Sequence, residues 1–194
     1  MATERGKRLA GADRREQVLT IAAEEFAEHG LHGVSAEVIA RRAGITHAYV
    51  FRLFGTKKAL FLEVVRRAFA AMADGLASSA GQASGLEALA AMGLRYDASL
   101  KDRTLLLLQL QAFAACGDAE VREAVRESFG RLWQTVSDAT GLDAVQVKTF
   151  MAFRMLLNTN AALATADVDA DWARQATTRI QAGLFTHVTT EANQ

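Results

Sequence analysis

The chain has 194 residues, with 22 Lys/Arg against 22 Asp/Glu for a net charge of zero, and 51% of it is apolar. That length allows one large helical domain or a small domain plus a larger one, and the apolar share can fill a sizeable core. A lone cysteine, Cys116, excludes an intramolecular disulfide and points to a reducing compartment. Proline is absent and alanine abundant, which favours long uninterrupted helices and an all-α fold. Residues 1–12 carry Arg5, Lys7 and Arg8 and read either as a polar tail or as a basic arm for phosphates or a minor groove. No apolar core follows them, so no signal peptide is expected, and no stretch reaches the roughly 18 apolar residues of a membrane span.

Asp13 to His29 reads as the first helix, with Val18, Leu19, Ala22, Ala23 and Phe26 on its inner face and Gly30 as its stop. His29 and His32 lie near Glu25 and Glu28, but Gly30 interrupts the helix between them, so solvated helix-end residues are expected there and no metal site. The stretch Ala36 to Leu60, AEVIARRAGITHAYVFRLFGTKKAL, then reads as two short helices, a tight turn and the start of a third. Ser35 and Thr46 are N-caps, Ala40 is small where two helices approach, and Gly44 suits a turn with positive φ. On the second helix Val50, Leu53 and Phe54 share an inner arc at 100° per residue. Ala48 and Arg52 fall opposite, with His47, Tyr49 and Phe51 towards the edges or the N-terminal end. This is the layout of a helix-turn-helix DNA reader. Thr56 caps a long helix to about Ser78, apolar along Leu60, Phe61, Val64, Val65, Ala68, Phe69 and Met72, which would link the reader to the larger C-terminal part of the chain. Lys57 and Lys58 sit in its first turn, where the helix dipole disfavours cations but backbone N–H groups can hold a phosphate.

Residues 77–85, ASSAGQASG, form the clearest break. Helices are then predicted over Leu86–Leu100, Asp102–Cys116, Asp118–Ala139, Asp143 to about Thr165 and Asp169 to about His187, about nine in all. The run LLLLQLQAFAAC is leucine-rich on all sides and marks a central buried helix, interrupted by Gln109 and Gln111. The last two helices hold more apolar surface than one face can cover. Met151, Met155, Asn158, Ala162, Trp172, Ala176, Ile180 and Leu184 are therefore candidates for half of a four-helix homodimer interface, with intrachain core as the alternative. Residues 1–60 carry ten Lys/Arg and seven Asp/Glu (10 − 7 = +3), and the remainder carries 12 − 15 = −3, so the reader half is the basic half.

Residues 13–60 resemble the DNA-binding domain of the TetR (tetracycline-repressor-like) family of transcriptional regulators. Phe26, Gly30, Ile39-Ala40, Ala43-Gly44-Ile45-Thr46, Val50-Phe51, Phe54, Thr56-Lys57-Lys58 and Leu60 carry the match, over about a quarter of the chain. The family usually has Tyr at Phe51 and often His at Leu53, so a hydroxyl contact to phosphate is missing at Phe51, whose ring can still touch sugar or a thymine methyl. The resemblance implies a helix-turn-helix domain over residues 1–56 and a helical effector-binding and dimerisation domain over 57–194. It also implies a near-palindromic double-stranded DNA operator, contacted by Ser35, Ala36, Glu37, Thr46, His47, Ala48, Tyr49, Phe51, Arg52 and Lys57. Repression is the family's commonest mode, and a small-molecule effector releases the DNA. Met92, Tyr96, Phe113, Phe129, Trp133 and Met155, with Gln109 as a polar hook, are candidates to line its pocket, and they favour a largely apolar ligand. The same residues could be plain core.

No GxSxG, P-loop, GxGxxG or HExxH motif occurs, and the four histidines are scattered. Neither catalysis, a cofactor nor a metal is expected. The reading is a cytoplasmic, homodimeric transcriptional regulator. A helical scaffold with a vestigial reading motif is the alternative, separated from it by salt-dependent DNA binding.

Overall fold

Alanine-rich, proline-free segments punctuated by glycine and by Ser, Thr or Asp caps give an α-helical chain. The computed structural model describes residues 2–99, 102–178, 180 and 183, with side chains described from residue 12 to 96 and from 102 onward. Nine α-helices occur among the described residues: α1 (Ala2–Gly33), α2 (Ala36–Arg42), α3 (His47–Phe54), α4 (Lys57–Ala80), α5 (Gly85–Ser99), α6 (Arg103–Ala114), α7 (Ala119–Thr140), α8 (Ala144–Ala162) and α9 (Asp171–Ala176). Short 3-10 turns sit at Ala115–Gly117 and Thr165–Asp167. No helix among the described residues is long and apolar enough to cross a membrane.

The chain forms two compact units, one of residues 1–68 and 107–126, the other of residues 69–106 and 127–194. In the first, Val18, Ala22 and Phe26 of α1, Ile39 of α2, Val50 of α3 and Leu60, Phe61 and Val65 of α4 are fully buried, together with Leu108, Ala112 and Val121. The Phe26 and Phe61 rings meet edge to face, centroids 5.1 Å apart at 88°, the arrangement their quadrupoles favour. Ion pairs set the angles at the rim. Arg15 grips Glu63 with both guanidinium nitrogens at 2.5 Å, Arg67 reaches Glu16, and Arg42 spans Glu24 and the largely buried Glu25. Glu25 first and Glu24 second raise the Arg42 pKa, and Arg67, chiefly by its hydrogen bond, lowers that of Glu16. Apart from Glu25 these groups are at least partly exposed, so they fix geometry more than they add stability. In the second unit Leu89 and Met92 of α5, Leu132 and Val136 of α7 and Val147 of α8 are buried.

Several boundaries differ from the sequence reading, and helix α1 continues past Gly30 to Gly33. Helix α1 begins at Ala2 rather than Asp13, because residues 2–10 hold good helix formers with only Gly6 to oppose them. Helix α4 runs past Ser78 to Ala80, which narrows the break to residues 81–84. Helix α8 stops at Ala162, where Leu163 caps it and Ala164 adopts a left-handed conformation (φ 50°). Helix α9 stops at Ala176, well short of His187. The Thr177 and Thr178 hydroxyls bond back to Ala173 O and Arg174 O, and Asn160 Nδ2 donates to Ala176 O at 2.7 Å. Together they satisfy the last carbonyls in place of a further turn.

Gly30 interrupts α1 with φ 71° and ψ −179°, a conformation only glycine adopts readily. A Cβ there would also lie 2.6 Å from Gln111 Oε1. Gly30→Ala should cost about 1–3 kcal/mol, read as a lowered melting temperature. Adding Gln111→Ala should recover little, because the mobile amide can move aside and the backbone cannot.

Candidate nucleic-acid interface

The reading element is built from local hydrogen bonds that the sequence encodes. Ser35 Oγ accepts from Val38 N at 3.4 Å and starts α2. Its end is a Schellman motif: Ile45 N donates to Ala40 O at 3.0 Å and Gly44 N to Arg41 O at 3.2 Å. Gly44 takes the left-handed turn at φ +65°, where any Cβ would be strained. Thr46 Oγ1 then accepts from Tyr49 N at 3.3 Å and opens α3. Thr56 Oγ1 does the same for α4, accepting from Ala59 N at 2.9 Å.

On α3 only Val50 is fully enclosed. His47, Ala48 and Arg52 are exposed, and Tyr49, Phe51, Leu53 and Phe54 are half-buried. The outer face is partly ordered by its own contacts. The Arg52 guanidinium lies 4.4 Å from the Tyr49 ring centroid, and the His47 and Phe51 rings meet edge to face at 4.4 Å. Arg15 covers the Phe54 ring at 4.8 Å. His47 Nε2 also lies 3.2 Å from Glu37 Oε1. The Ser35 hydroxyl and then the Glu37 backbone, with help from His47 and Lys57, hold the Glu37 carboxyl below the usual carboxylate range. A fixed anion therefore sits beside His47.

Lys57 is not a loose cation. Its Nζ donates to Val34 O at 2.9 Å, which ties the start of α4 to the segment before α2. An ammonium has three donors, so two remain for a phosphate. Lys58, by contrast, is bound to Glu120 at 2.7 Å and Asp118 at 3.2 Å. Ala36 corrects the sequence reading. It is 4% exposed, packed inside its own unit, and is not available to touch DNA.

The second unit gathers some of the remaining candidates and separates others. Tyr96 OH donates to Asn158 Oδ1, and the Phe129 and Trp133 rings lie 6.5 Å apart. Met92 and Tyr96 are buried, while Phe129, Trp133 and Met155 are half-buried. Gln109 (buried) and Phe113 (half-buried) belong to the first unit. Two interface candidates need correction. Met151 and Asn158 are buried within their own chain, because they face the α8 side that packs inward, so neither is offered to a partner. Ala162 and Ala176 are half-buried, Trp172 and Ile180 are exposed, and Leu184 lies outside the described residues. The sequence reading passed over Leu156 and Leu163 as surface residues, although both are exposed and seven apart on α8 and its cap. It also missed Arg154, whose signal was a single charge within FMAFRMLLN.

A capped, glycine-turned helix pair that presents an uncovered second helix has the layout of a helix-turn-helix DNA reader. A family model for bacterial regulatory proteins of the tetR family matches residues 18–64. Residues 18–64 are thus similar to the DNA-binding domain of that family. A transcriptional activator of helix-turn-helix type, FasR of Mycolicibacterium smegmatis, is 38% identical over 63 residues, which make up 32% of this chain and 29% of FasR. The chain thus matches under a third of that relative's length. Among solved structures, FadR of Bacillus subtilis in complex with stearoyl-CoA superposes with a TM-score of 0.67 at 16% identity, covering 83% of this chain and 92% of that one. The fatty acid degradation regulator FadR of Bacillus halodurans gives 0.68 at 16% identity over 89% and 94%. A TetR family transcription regulator from Marinobacter aquaeolei gives 0.65 at 15% identity over 87% and 94%. At these identities the structures establish the fold.

Proposed function

We propose that this protein is a cytoplasmic, homodimeric repressor that reads a near-palindromic operator with α3 and leaves it on binding a small, largely apolar effector. In this reading residues 1–56 read DNA, and residues 57–194 bind effector and partner. The observation that carries it is the uncovered outer face of α3, fixed at both ends by caps, with Arg52 stacked on Tyr49 and Lys57 held at the next helix start. His47, Ala48, Tyr49 and Arg52 face the major groove, Phe51 touches sugar or a thymine methyl, and Ser35, Thr46 and Lys57 fix register on phosphates. Glu37 faces the DNA beside His47 and holds its imidazole at 3.2 Å.

Pairing is supported by apolar surface on the second unit, where Leu156 is 46% exposed, Leu163 64% and Trp172 54%. A two-fold pair places its half-sites about 34 Å or a multiple of that apart. The effector reading is supported by the shared fold with a FadR solved in complex with stearoyl-CoA. Repression results if the bound dimer excludes polymerase from its site.

The test is selection of genomic fragments by the purified protein, followed by gel shift on the selected site and solution mass. Binding should weaken by about 10³–10⁵-fold between about 50 and about 200 mM salt if the dimer makes 6–10 phosphate contacts. Lys57→Ala should weaken every sequence alike and lower the log–log salt slope by about 2, one phosphate contact being lost from each protomer. A lone chain at working concentration, or no selected fragment, would refute the reading.

A further inference from the structure

Arg154 sits on α8 and is 2% exposed. An arginine this deep is ordinarily matched by a carboxylate, because removing a cation from water is costly. Among the described residues no acidic side chain pairs with it. Its guanidinium lies 4.2 Å from the Tyr96 ring centroid. Its two terminal nitrogens point at thioether sulfurs, Met151 Sδ at 3.5 Å and Met72 Sδ at 4.0 Å. Nε donates to nothing. Sulfur is a weak acceptor, and beside it only the Tyr96 oxygen interacts with the guanidinium among the described residues, so most of a planar fork of five strong donors faces soft, poorly accepting groups. Burial pulls the Arg154 pKa down, partly offset by Tyr96. An arginine remains charged even so.

We infer that the second unit binds an organic monocarboxylate, with the Arg154 guanidinium taking the carboxylate and the Met72 and Met151 thioethers giving way to admit it. The inference rests on the effector reading proposed for this unit and gives that effector a charge. A carboxylate matches the arginine fork in geometry and supplies the missing counter-charge. A single arginine fork fits a single negative charge better than a phosphate dianion. Methionine side chains are unbranched and flexible, so they can withdraw from the guanidinium without backbone movement. Tyr96 has a fixed place beside the anion: its ring holds the guanidinium, and its hydroxyl is anchored on Asn158. Burial raises the Tyr96 pKa, which keeps that hydroxyl a neutral donor. The body of the ligand is apolar, because the groups around the cation are thioethers and an aromatic ring.

The probes are sodium decanoate, 4-phenylbutyrate and benzoate, each paired with its uncharged primary amide. Thermal unfolding and release of the selected operator are followed for the wild type, Arg154→Met and Arg154→Gln. At least one carboxylate should raise the wild-type melting temperature by about 5 °C more than its amide at saturating concentration. Both variants should lose that difference. Arg154→Met should melt no lower than the wild type without ligand, because it removes an uncompensated buried cation. A carboxylate preference that survives in either variant overturns the assignment, as does a panel in which no carboxylate outperforms its amide. If amides and carboxylates stabilise alike and both release DNA, the Arg154 site fails and the effector reading stands. If a carboxylate binds through Arg154 while the operator stays bound, the site stands and the effector reading fails.

Discussion

Phe61→Ala should lower the free energy of unfolding by about 3–5 kcal/mol, the largest single effect expected in this chain. Phe61 is fully buried, and its ring meets that of Phe26, also fully buried, edge to face at 5.1 Å. Truncation removes the transfer free energy of the ring and leaves a cavity between α1 and α4, walled by helices that cannot collapse fully. Against a typical total of about 5–15 kcal/mol, such a loss would leave the first unit marginal. DNA binding would fall with it, because α2 and α3 rest on the same core. Chemical denaturation followed by circular dichroism gives the number. The Phe26→Ala, Phe61→Ala double variant should cost less than the sum of the singles by about 0.5–1.5 kcal/mol, the share that belongs to the ring pair. Strict additivity would mean that the two rings do not support each other.

The second large effect concerns what α3 reads. Tyr49→Ala should change sequence preference, and Arg52→Ala should weaken the preferred operator by about 1–3 kcal/mol while relaxing choice at the position it contacts. The two are linked. The Tyr49 ring supports the Arg52 guanidinium at 4.4 Å, so losing the ring also frees a rotamer-rich side chain that must then be ordered on binding. The profile of Tyr49→Ala on a randomised operator library should therefore overlap that of Arg52→Ala. Lys57→Ala should leave the profile unchanged, since phosphate contacts carry no sequence information. If Tyr49→Ala and wild type selected the same sites, α3 would have been assigned the wrong face.

The helix ends of the reader were legible before any coordinates, because each is a contact within a few residues. Ser35, Thr46 and Thr56 bond N–H groups three residues on, and Gly44 turns between neighbours along the chain. The capping box of Asp143 with Gln146 is equally local, although the sequence reading did not name it. The inner arc of α3 followed from 100° per residue, though only Val50 on it proved fully enclosed. Signals of this kind depend on backbone geometry and residue type alone.

The sequence by itself therefore determined an all-α chain, the place and punctuation of its reading helices, and the family whose DNA-binding domain residues 18–64 match. Tertiary structure decided which of the named side chains are free to act. It buried Ala36, Met151 and Asn158, tied Lys57 to Val34 O across 23 positions, ended α9 with an amide from α8, and enclosed Arg154 among thioethers and an aromatic ring. The reason is distance along the chain. Helical periodicity reports which residues share a face, but what covers that face is set by segments tens of residues away, whose approach no local pattern encodes.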